Sequence, residues 1–385
     1  MQADTNAAAR ELLPLIKDHR DDTETNRQLA LPIVEALVKH RLCRLAVMPE
    51  LDGLGLPSAQ ALQVYETLAS AEASVSWIAW NNSLPCLFSR FLTPAARSEL
   101  FADPAWLYAN STRPTGKVTL DGNDYRLNGR WSLVSGCEMA EWIALMCLME
   151  EDGQIKMLAA DTPDVRMLFV RKGDYEILDT WHVGGLRGSG SHDVVVDNLL
   201  VPADRCLSPA TVPTIDHPIG RVPIICSMGV GFAAQLLGMA NTAVATVIEL
   251  GKTRITPGPI PDLRDRPVAQ ALVGRLPGAL AAARAYLHDC TGRLWDRALE
   301  GDPAGLDDIG AAWSAAANAV AVARETVDAM YATAGTSALY VDSPLERIHR
   351  DMHAMLRHVA AQSLWVEQAG RVSFGMAPND SLYTL

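Results

Sequence analysis

The hydrophobic periodicity of this 385-residue chain changes twice along its length, and these two changes constrain the fold more than any other feature. Between residues 106 and 205, short apolar runs alternate with turn dipeptides that tolerate positive φ angles, namely Asp121-Gly122, Asn128-Gly129 and Asp152-Gly153. The pattern predicts strands at 117–120, 125–127, 131–134, 143–149, 155–160, 175–178 and 193–199. This spacing is typical of a small antiparallel β-barrel or β-sandwich.

Helical periodicity flanks this β-rich region on both sides. Residues 1–105 are predicted to form a helical domain, with helices at 29–45, 59–71 and 75–91 and a short one that opens at Thr93-Pro94. Residues 216–385 are predicted to form a four-helix bundle from 222–250, 267–299, 306–334 and 344–372, which leaves 106–215 as the central β-domain. The predicted fold class is therefore α+β. A bundle of this kind commonly pairs with another copy, so we expect a homo-oligomer.

The charge and the termini restrict the partners. The net charge is −12 and no Lys/Arg cluster forms a basic face, so we expect no nucleic-acid partner. The amino terminus lacks the basic start and apolar core of a secretory signal, and no uncharged apolar run reaches the length of a membrane span. The seven cysteines form no Cys-x-x-Cys pair, which indicates reduced thiols. These features predict a cytoplasmic protein with no membrane partner.

Three segments carry the polar and glycine-rich residues that a ligand site requires. They are ANSTRPTG at 109–116, LNGRWSLVSGCEMAEW at 127–142 and TWHVGGLRGSGSHDVVVDNLLVP at 180–202. The first offers hydroxyls and main-chain amides to a planar polar ligand, and the second ends a strand at Ser135-Gly136. Glycines in the third allow the backbone to approach a ligand closely. Each segment taken singly is equally compatible with tight turns of a β-barrel and nothing more.

The histidines and the glycine run do not match familiar cofactor motifs. The nine histidines show no metal-ligand spacing that includes a carboxylate, so no metal site is predicted. His349 and His353 are one helical turn apart, but no third ligand is identifiable, and a solvated or core-lining role is favoured. The glycine run at 184–190 enters a strand rather than a helix, so it is not the dinucleotide-binding fingerprint.

In this order, within a helix–β–helix chain, the three segments resemble the acyl-CoA dehydrogenase superfamily over nearly the whole length. The pattern NG-x-W-x-x-x-SG and the run GLRGSGSHDVVVDNLLVP are similar to its flavin-binding β-domain. The sequence RITPG at 254–258 is similar to the family's Arg-x-x-Phe-Gly, in which the arginine reaches a neighbouring subunit's flavin dinucleotide. Pro257 replaces the phenylalanine, so the resemblance leaves FMN and FAD equally open.

The last motif, LERIHRDMHAMLRH at 345–358, selects a branch of this superfamily. Its dehydrogenases follow a similar Arg-Asp with a glutamate that removes the α-proton of an acyl thioester, whereas this chain has no acidic residue between Asp351 and Glu367. His358 lies near the expected position. Together with TWHVGGLRGSGS, the motif RD-x-H-x-x-x-x-H resembles the flavin-dependent monooxygenase branch, the oxygenase components of two-component aromatic hydroxylases. A continuous helix here is expected to place Asp351 and His358 nearly on one face.

This resemblance implies a two-component enzyme. It implies that the chain receives reduced flavin, FMNH2 or FADH2, from a separate NAD(P)H:flavin reductase. It further implies that O2 reacts through a flavin C4a-hydroperoxide to hydroxylate an aromatic or polycyclic small molecule, a reaction of secondary metabolism. The implied assembly is a homotetramer.

The same resemblance assigns roles to individual residues. His358, Ser135 and Asp351 are the implied catalytic residues, with His358 as general base on a phenol-like substrate, because histidine has an ordinary pKa of about 6.5. Ser135 is implied to hydrogen-bond the flavin near N5. The implied flavin-binding residues are Ser111, Thr112, Trp131, Ser135, Gly136 and Arg254. The implied substrate-binding residues are Trp80, Asn82 and His358. Trp77 and Trp80 are candidates to shield the flavin from water, although an ordinary core role is favoured for both.

Three alternatives remain open from the sequence. One is an acyl-CoA dehydrogenase-like FAD oxidoreductase with a non-standard base, and another is an N-oxygenase of an amino substrate. The third is a flavin-fold scaffold without activity, which would bind flavin in neither redox state.

Overall fold

The computed structural model of the chain describes residues 5–215, 217–255, 259–379 and 385. The part that precedes the sheet is helical, as the sequence predicts. Its helices are α1 (Thr5–Glu11), α2 (Leu13–Asp18), α3 (Arg20–Asn26), α4 (Leu31–Lys39), α5 (Ser58–Ala69), α6 (Ala73–Asn81), α7 (Ser83–Phe88) and α8 (Pro94–Leu100). The predicted helix at 75–91 is two helices, with the break at Asn82. Thr93 caps α8 through its side chain, which accepts a hydrogen bond from the amide of Ala96.

The middle of the chain forms one eight-stranded sheet and a small two-stranded sheet. The strands are β1 (Tyr108–Asp121), β2 (Asp124–Val134), β3 (Trp142–Glu151), β4 (Gln154–Ile155), β5 (Met157–Ala159), β6 (Thr162–Pro163), β7 (Val165–Arg171), β8 (Glu176–Leu178), β9 (His192–Val201) and β10 (Cys206–Leu207). The large sheet runs β10-β7-β3-β1-β2-β9-β8, with β4 paired to the end of β3. β5 and β6 form the small sheet. The sequence did not predict β7, nor that 109–116 is strand.

The large sheet is mixed rather than antiparallel, because β1 and β3 run parallel. The chain turns back from β1 into β2, and residues 135–141 then cross the start of β1 before β3 begins on its other side. The amide of Glu141 donates to the carbonyl of Leu107 at this crossing, 2.9 Å away. Two reversals of direction therefore leave β3 parallel to its neighbour.

The side chains of β3 point alternately to the two faces of the sheet, and each face packs into a different hydrophobic core. Trp142, Ala144 and Met146 pack into the large cluster that also contains the helices. Ile143 and Leu145 pack on the opposite face, in a smaller cluster made by the sheet itself. Successive side chains of a strand point to opposite faces, so a strand covered on both sides reads as a continuous apolar run.

The predicted hairpin at Asn128-Gly129 is wrong, because both residues lie inside β2. Gly129 is required there for packing. A Cβ on Gly129 would lie 2.8 Å from the Trp131 indole, and one on Gly116 would lie 2.0 Å from it. The two glycines thus make room for a fully buried tryptophan whose indole nitrogen donates to the Met146 carbonyl at 2.7 Å.

The C-terminal part is again helical. Its helices are α9 (Pro218–Arg221), α10 (Ile224–Thr253), α11 (Pro267–Glu300), α12 (Leu306–Ala334), α13 (Pro344–Met355) and α14 (Leu364–Ser373). α10 is long and apolar enough to span a membrane by length and composition, but 83% of its most apolar window is buried inside this fold. That burial is the behaviour of a core helix.

The predicted continuous helix at 344–372 is wrong. α13 ends at Met355, a 3₁₀ turn covers Val359–Ala361, and α14 follows. His358 lies at the break and adopts an extended conformation, with φ −69° and ψ 149°. Asp351 and His358 therefore do not share a helix face.

Candidate active site

His358 lies against a wall of three aromatic side chains. The centroid of its ring is 5.3 Å from that of Trp77, 5.5 Å from that of Trp80 and 5.6 Å from that of Phe232. Phe232 stacks on the imidazole at an angle of 25°, whereas both tryptophans meet it edge-on. Trp77 and Trp80 belong to α6, and Phe232 belongs to α10. The break after α13 therefore places His358 where α6 and α10 meet.

The break in the chain also selects the tautomer of His358. Its Nδ1 accepts a hydrogen bond from the amide of Ala360 at 3.2 Å, which caps the 3₁₀ turn. A neutral imidazole has one acceptor nitrogen and one N–H, so the proton resides on Nε2. The ring therefore presents a hydrogen-bond donor at its free nitrogen.

His358 is neutral at physiological pH. Burial, and to a lesser extent the charge of the Arg113 guanidinium, lowers the pKa of His358 from 6.5 to about 4. Among the described residues, no carboxylate is a cause of this pKa shift. A neighbouring carboxylate would raise the pKa instead, so the surroundings of the ring are apolar with one cation at their edge.

A row of buried serine hydroxyls connects the aromatic wall to the glycine run. Ser135 Oγ accepts a hydrogen bond from Trp77 Nε1 at 2.9 Å and lies 2.7 Å from Ser191 Oγ. Ser191 Oγ is in turn 2.7 Å from Ser189 Oγ. All three serines are buried.

The order of donors in this row determines what Ser135 offers a ligand. A hydroxyl donates one hydrogen bond and accepts two. When the row runs from Ser189 through Ser191 to Ser135, the Ser135 oxygen accepts from both Ser191 and Trp77. Its own hydrogen is then free for an acceptor atom of a ligand.

Asp351, on α13, forms a hydrogen bond with the backbone of the glycine run at 184–190. Its Oδ1 accepts from the amide of Leu186 at 2.7 Å. Leu186 has φ +54°, in the left-handed region that non-glycine residues rarely adopt, so this hydrogen bond supports a strained backbone position. A Cβ on the adjacent Gly185 would lie 2.4 Å from the Arg350 carbonyl oxygen, and only glycine allows α13 this close.

The carboxyl group of Asp351 is buried among charged side chains. Burial raises the pKa of Asp351 well above its usual value, and the nearby Glu72 raises it further, while Arg350 opposes both. The carboxylate faces the backbone of the glycine run and is 2% exposed. The contact that the structure shows for Asp351 is with the backbone of Leu186, and its catalytic role stays a prediction.

The remaining predicted flavin contacts are dispersed along the sheet and beyond it. Ser111 is buried on β1 opposite Leu145, and the next residue, Thr112, is exposed. The amide of Gly136, predicted to face the ligand, already donates to the Ser189 carbonyl at 2.9 Å. Arg254 is exposed at the end of α10, and residues 256–258 of the RITPG motif lie outside the described residues.

Two predicted contacts occupy structural positions. Trp131 is fully buried in the core of the sheet, where Gly116 and Gly129 make room for it. Asn82 is 2% exposed, accepts from the Tyr108 amide at 2.7 Å and donates to the Ile78 carbonyl at 2.9 Å. Both side chains are engaged within the fold, so the site proposed below does not include them.

The sequence did not single out Phe232, Ser191 or Arg113 as site residues. Phe232 belongs to the nearly continuous apolar run of α10, so nothing local distinguishes it from core. Ser191 and Arg113 both lie in the polar segments quoted above, and their types were the available signal. Arg113 donates weakly to Ser132 Oγ at 3.4 Å and forms no ion pair with a described carboxylate.

A polar cavity of about 490 Å³ lies beside the glycine run, between Gly184 and the start of α13. It is lined by four arginines, Arg20, Arg187, Arg347 and Arg350, and by four carboxylates, Asp21, Glu24, Asp342 and Glu346. Arg350 pairs with Glu346 at 3.0 Å, Arg187 with Glu24 at 3.0 Å and Arg347 with Asp21 at 2.8 Å. The cavity thus carries no uncompensated positive charge for an anionic ligand.

The donor set around His358 fits a flavin. An isoalloxazine ring requires an apolar surface for its faces and hydrogen-bond donors for its ring nitrogens and carbonyls. The aromatic wall supplies the first, while Ser135 and Arg113, which forms no ion pair with a described carboxylate, supply donors. The flavin prediction therefore has a structural counterpart at one place in the molecule.

Comparisons with known proteins agree with this reading. Residues 230–363 match the family model described as acyl-CoA dehydrogenase, C-terminal domain. The chain is 26% identical to the indole-3-acetate monooxygenase of Pseudomonas putida, over 95% of this chain and 93% of the relative. It is also 26% identical to the flavin-dependent monooxygenase oxygenase subunit HsaA of Mycobacterium tuberculosis, over 98% and 96% of the two chains.

Solved structures extend the match to the whole fold. The structure of XiaF from Streptomyces sp. in complex with FADH2 and glycerol superposes with a TM-score of 0.89 and 24% identity, covering 98% of this chain and 97% of that one. The predicted architecture of N-terminal helices, central sheet and C-terminal helices is thereby confirmed. Residues 230–363 thus match the acyl-CoA dehydrogenase C-terminal domain, and over nearly its whole length the chain is similar to an indole-3-acetate monooxygenase and to the oxygenase subunit of a flavin-dependent monooxygenase.

Proposed function

We propose that this chain is the oxygenase component of a two-component flavin-dependent monooxygenase that hydroxylates an aromatic or polycyclic small molecule. A separate NAD(P)H:flavin reductase would supply the reduced flavin, FADH2 or FMNH2, which provides the electrons that activate O2. The observation that carries the proposal is the charge around His358. A cation and no described carboxylate perturb its pKa, whereas a dehydrogenase of this fold needs a carboxylate base there.

The residues of the chain have distinct tasks in this proposal. The wall of Trp77, Trp80 and Phe232 excludes water, which matters because water promotes unproductive loss of the activated oxygen as peroxide. Ser135 donates its free hydroxyl hydrogen to the flavin, and the N–H of Trp77 holds that hydroxyl in place. Ser111 and Thr112 on β1, the backbone at Gly136, and Arg254 of a neighbouring subunit remain proposed flavin contacts.

His358 has a more specific task than the sequence predicts. As a general base it would need an unprotonated Nε2, yet the Ala360 amide occupies Nδ1 and leaves the proton on Nε2. In this arrangement His358 donates a hydrogen bond to an oxygen atom of the substrate. That bond would stabilise a phenolate and raise the electron density at the carbon that is attacked.

Arg113 points to the kind of substrate to test first. Its guanidinium has no described carboxylate partner, and it acts electrostatically on His358. A relative of this chain is named for indole-3-acetate, an aromatic compound with a carboxylate. We therefore propose aromatic carboxylates as the first substrates to assay, with Arg113→Gln expected to raise KM about 10-fold or more through the lost ion pair. Arg130→Gln, which breaks the surface pair with Asp193 on β9, is the matched control.

One experiment tests the proposal directly. The protein is mixed anaerobically with reduced FAD or reduced FMN, oxygen is added, and the absorbance of oxidised flavin is followed. We expect the oxidised spectrum to return much more slowly than for free flavin, and Ser135→Ala to accelerate it. Ser89→Ala, a buried serine whose hydroxyl donates to the Cys86 carbonyl, is the control for loss of a buried hydroxyl.

Two results would contradict the proposal. Return of the oxidised spectrum at the free-flavin rate would remove the oxygenase function. Bleaching of bound oxidised flavin by an acyl-CoA thioester, with no reductase present, would favour the dehydrogenase alternative instead.

The role of His358 has its own test. His358→Gln keeps an N–H donor and is expected to retain part of the product formed per flavin oxidised, whereas His358→Phe is expected to lose it and release peroxide. Equal loss in both variants would favour the general base over the donor.

Assembly and location remain proposals as well. We propose a cytoplasmic homotetramer, supported by the superfamily resemblance and by Arg254, which is exposed as a residue that reaches a neighbouring subunit must be. Light scattering coupled to size-exclusion chromatography should give four times the 41.6 kDa of one chain.

A further inference from the structure

The face of α13 that points away from the glycine run carries two histidines directed at one carboxylate. His349 and His353 are one turn apart, about 160° or more around the helix from Asp351. His353 Nε2 lies 2.8 Å from Asp328 Oδ1, on the neighbouring helix α12, and His349 Nε2 lies 3.5 Å from the same oxygen. The sequence could not name this third group, because 21 residues separate it from the nearer histidine.

The spacing of these atoms approaches that of metal ligands. One ligand atom from each of the three side chains lies within 4.8 Å of the other two. Bonds of about 2.0–2.1 Å in tetrahedral geometry place ligand atoms about 3.3–3.4 Å apart. The separation of 3.5 Å already matches that edge, and the 2.8 Å separation would need to open by about half an ångström.

The two rings are oriented and available for ligation. Tyr331 stacks on His349 with centroids 4.1 Å apart and 24° between the planes, which fixes that imidazole. The rings of His349 and His353 are 4.4 Å apart, so protonation of both would bring two positive charges together. Burial and His353 lower the pKa of His349, while Asp328 and Glu346 oppose this shift. A neutral imidazole is the form that binds a metal.

A simple hydrogen bond does not account for the whole arrangement. The pair of His353 and Asp328 alone would be an ordinary partly exposed ion pair. His349 adds a second nitrogen aimed at the same oxygen, although its ring is already placed by the stack on Tyr331. Three convergent ligand atoms of the types nitrogen, nitrogen and oxygen are the common set for a borderline divalent ion.

We propose that Asp328, His349 and His353 form a binding site for a divalent transition-metal ion, with Zn²⁺ the first to test and water in the remaining position. Two imidazoles and one carboxylate favour Zn²⁺, Co²⁺ or Ni²⁺ over Mg²⁺ or Ca²⁺, which prefer oxygen ligands. The bound ion clamps α13 to α12. Since α13 also carries Asp351, which holds Leu186, the ion stabilises the glycine run from the opposite side of the helix.

The test measures metal binding by the intact chain and needs no flavin or substrate. Protein stripped with a chelator is titrated with Zn²⁺ in competition with a chromophoric chelator, and its thermal midpoint is recorded with and without the ion. We expect one high-affinity Zn²⁺ per chain and a higher midpoint. Binding of Co²⁺ should give the visible absorption of a tetrahedral site.

Variants decide whether these three residues are the ligands. His349→Ala, His353→Ala and Asp328→Asn are each expected to weaken binding by at least about 10-fold. Asp328→Asn keeps an oxygen that can accept a hydrogen bond from His353, so this variant is expected to fold and a loss of metal binding in it cannot be attributed to unfolding. His40→Ala, at the end of α4, is the control for a histidine outside the site. No high-affinity binding, or binding that survives any one of the three substitutions unchanged, overturns the proposal.

Discussion

The low pKa of His358 predicts that its ring stays almost entirely neutral at pH 6, which a pKa of 6.5 would not. With the ordinary value of 6.5, about three quarters of these rings would be protonated at pH 6, whereas a value of about 4 leaves about 1% protonated. The cause is burial against Trp77, Trp80 and Phe232, followed by the Arg113 charge.

The same difference links stability to pH. Between pH 4 and 6.5 the unfolded chain binds a proton at this position and the folded chain does not, so folding stability falls as the pH falls. From pH 7 to pH 5 the loss from His358 alone is at most about 2 kcal/mol. His358→Gln removes this contribution, so the variant should lose about 2 kcal/mol less than the parent over the same interval.

The assay has two parts. The ring resonances of ¹³C-labelled histidine are followed from pH 4 to 8, and the signal missing from His358→Gln is assigned to His358. Urea unfolding of both proteins is then compared at pH 7 and pH 5. Asp351 is present in both proteins, so its opposite pH dependence cancels. A His358 signal that titrates near pH 6.5, or equal losses of stability, would refute the argument from burial.

Three further predictions concern the support of the site. Asp351→Asn keeps an oxygen for the Leu186 amide and is expected to fold normally, whereas Asp351→Ala leaves that amide without its partner and should cost about 1–3 kcal/mol of unfolding free energy in urea titrations. Because the pKa of Asp351 is raised to about 8, the folded chain holds a proton between about pH 4 and 8 that the unfolded chain releases. The parent should therefore lose stability relative to Asp351→Asn as the pH rises through this range, and an equal pH dependence of both proteins from pH 5 to 8 would contradict this. Gly185→Ala should push α13 away from the glycine run, since its Cβ would lie 2.4 Å from the Arg350 carbonyl, and is expected to weaken reduced-flavin binding in equilibrium dialysis, while Gly274→Ala on the open face of α11 should leave it unchanged.

The sequence was most informative where periodicity and turn chemistry act locally. The hydrophobic periodicity changes from helical to strand-like near Trp106 and back to helical after Pro218. These two changes correctly placed the sheet between two helical parts. Dipeptides such as Asp152-Gly153 placed a true hairpin, where both residues have positive φ. Asn128-Gly129 has the same composition but lies inside a strand, because its glycine makes room for Trp131 rather than for a turn. A local pattern does not distinguish these two uses of glycine.

The resemblance to the acyl-CoA dehydrogenase superfamily and to its flavin-dependent monooxygenases was also visible in the sequence, because the residues concerned lie in short motifs. Ser135 and His358 were singled out in this way, and the structure connects both to Trp77. Their neighbours Phe232 and Arg113 were not identified. Phe232 is an apolar residue in an apolar helix, and Arg113 lies in one of the polar segments but carries no local mark that it approaches His358. Contacts between segments far apart in the chain leave no local signature.

The tertiary structure alone decided the end of α13 and everything that depends on it. The sequence favoured one helix through 344–372, with Asp351 and His358 on a common face. The fold instead ends the helix at Met355, so that His358 joins the aromatic wall and Asp351 turns to Leu186. Helical propensity is a sum over local preferences, whereas burial of an imidazole among three aromatic rings from two other helices is a property of the packed molecule. The sequence therefore determined which residues were available for chemistry, and packing determined which of them meet.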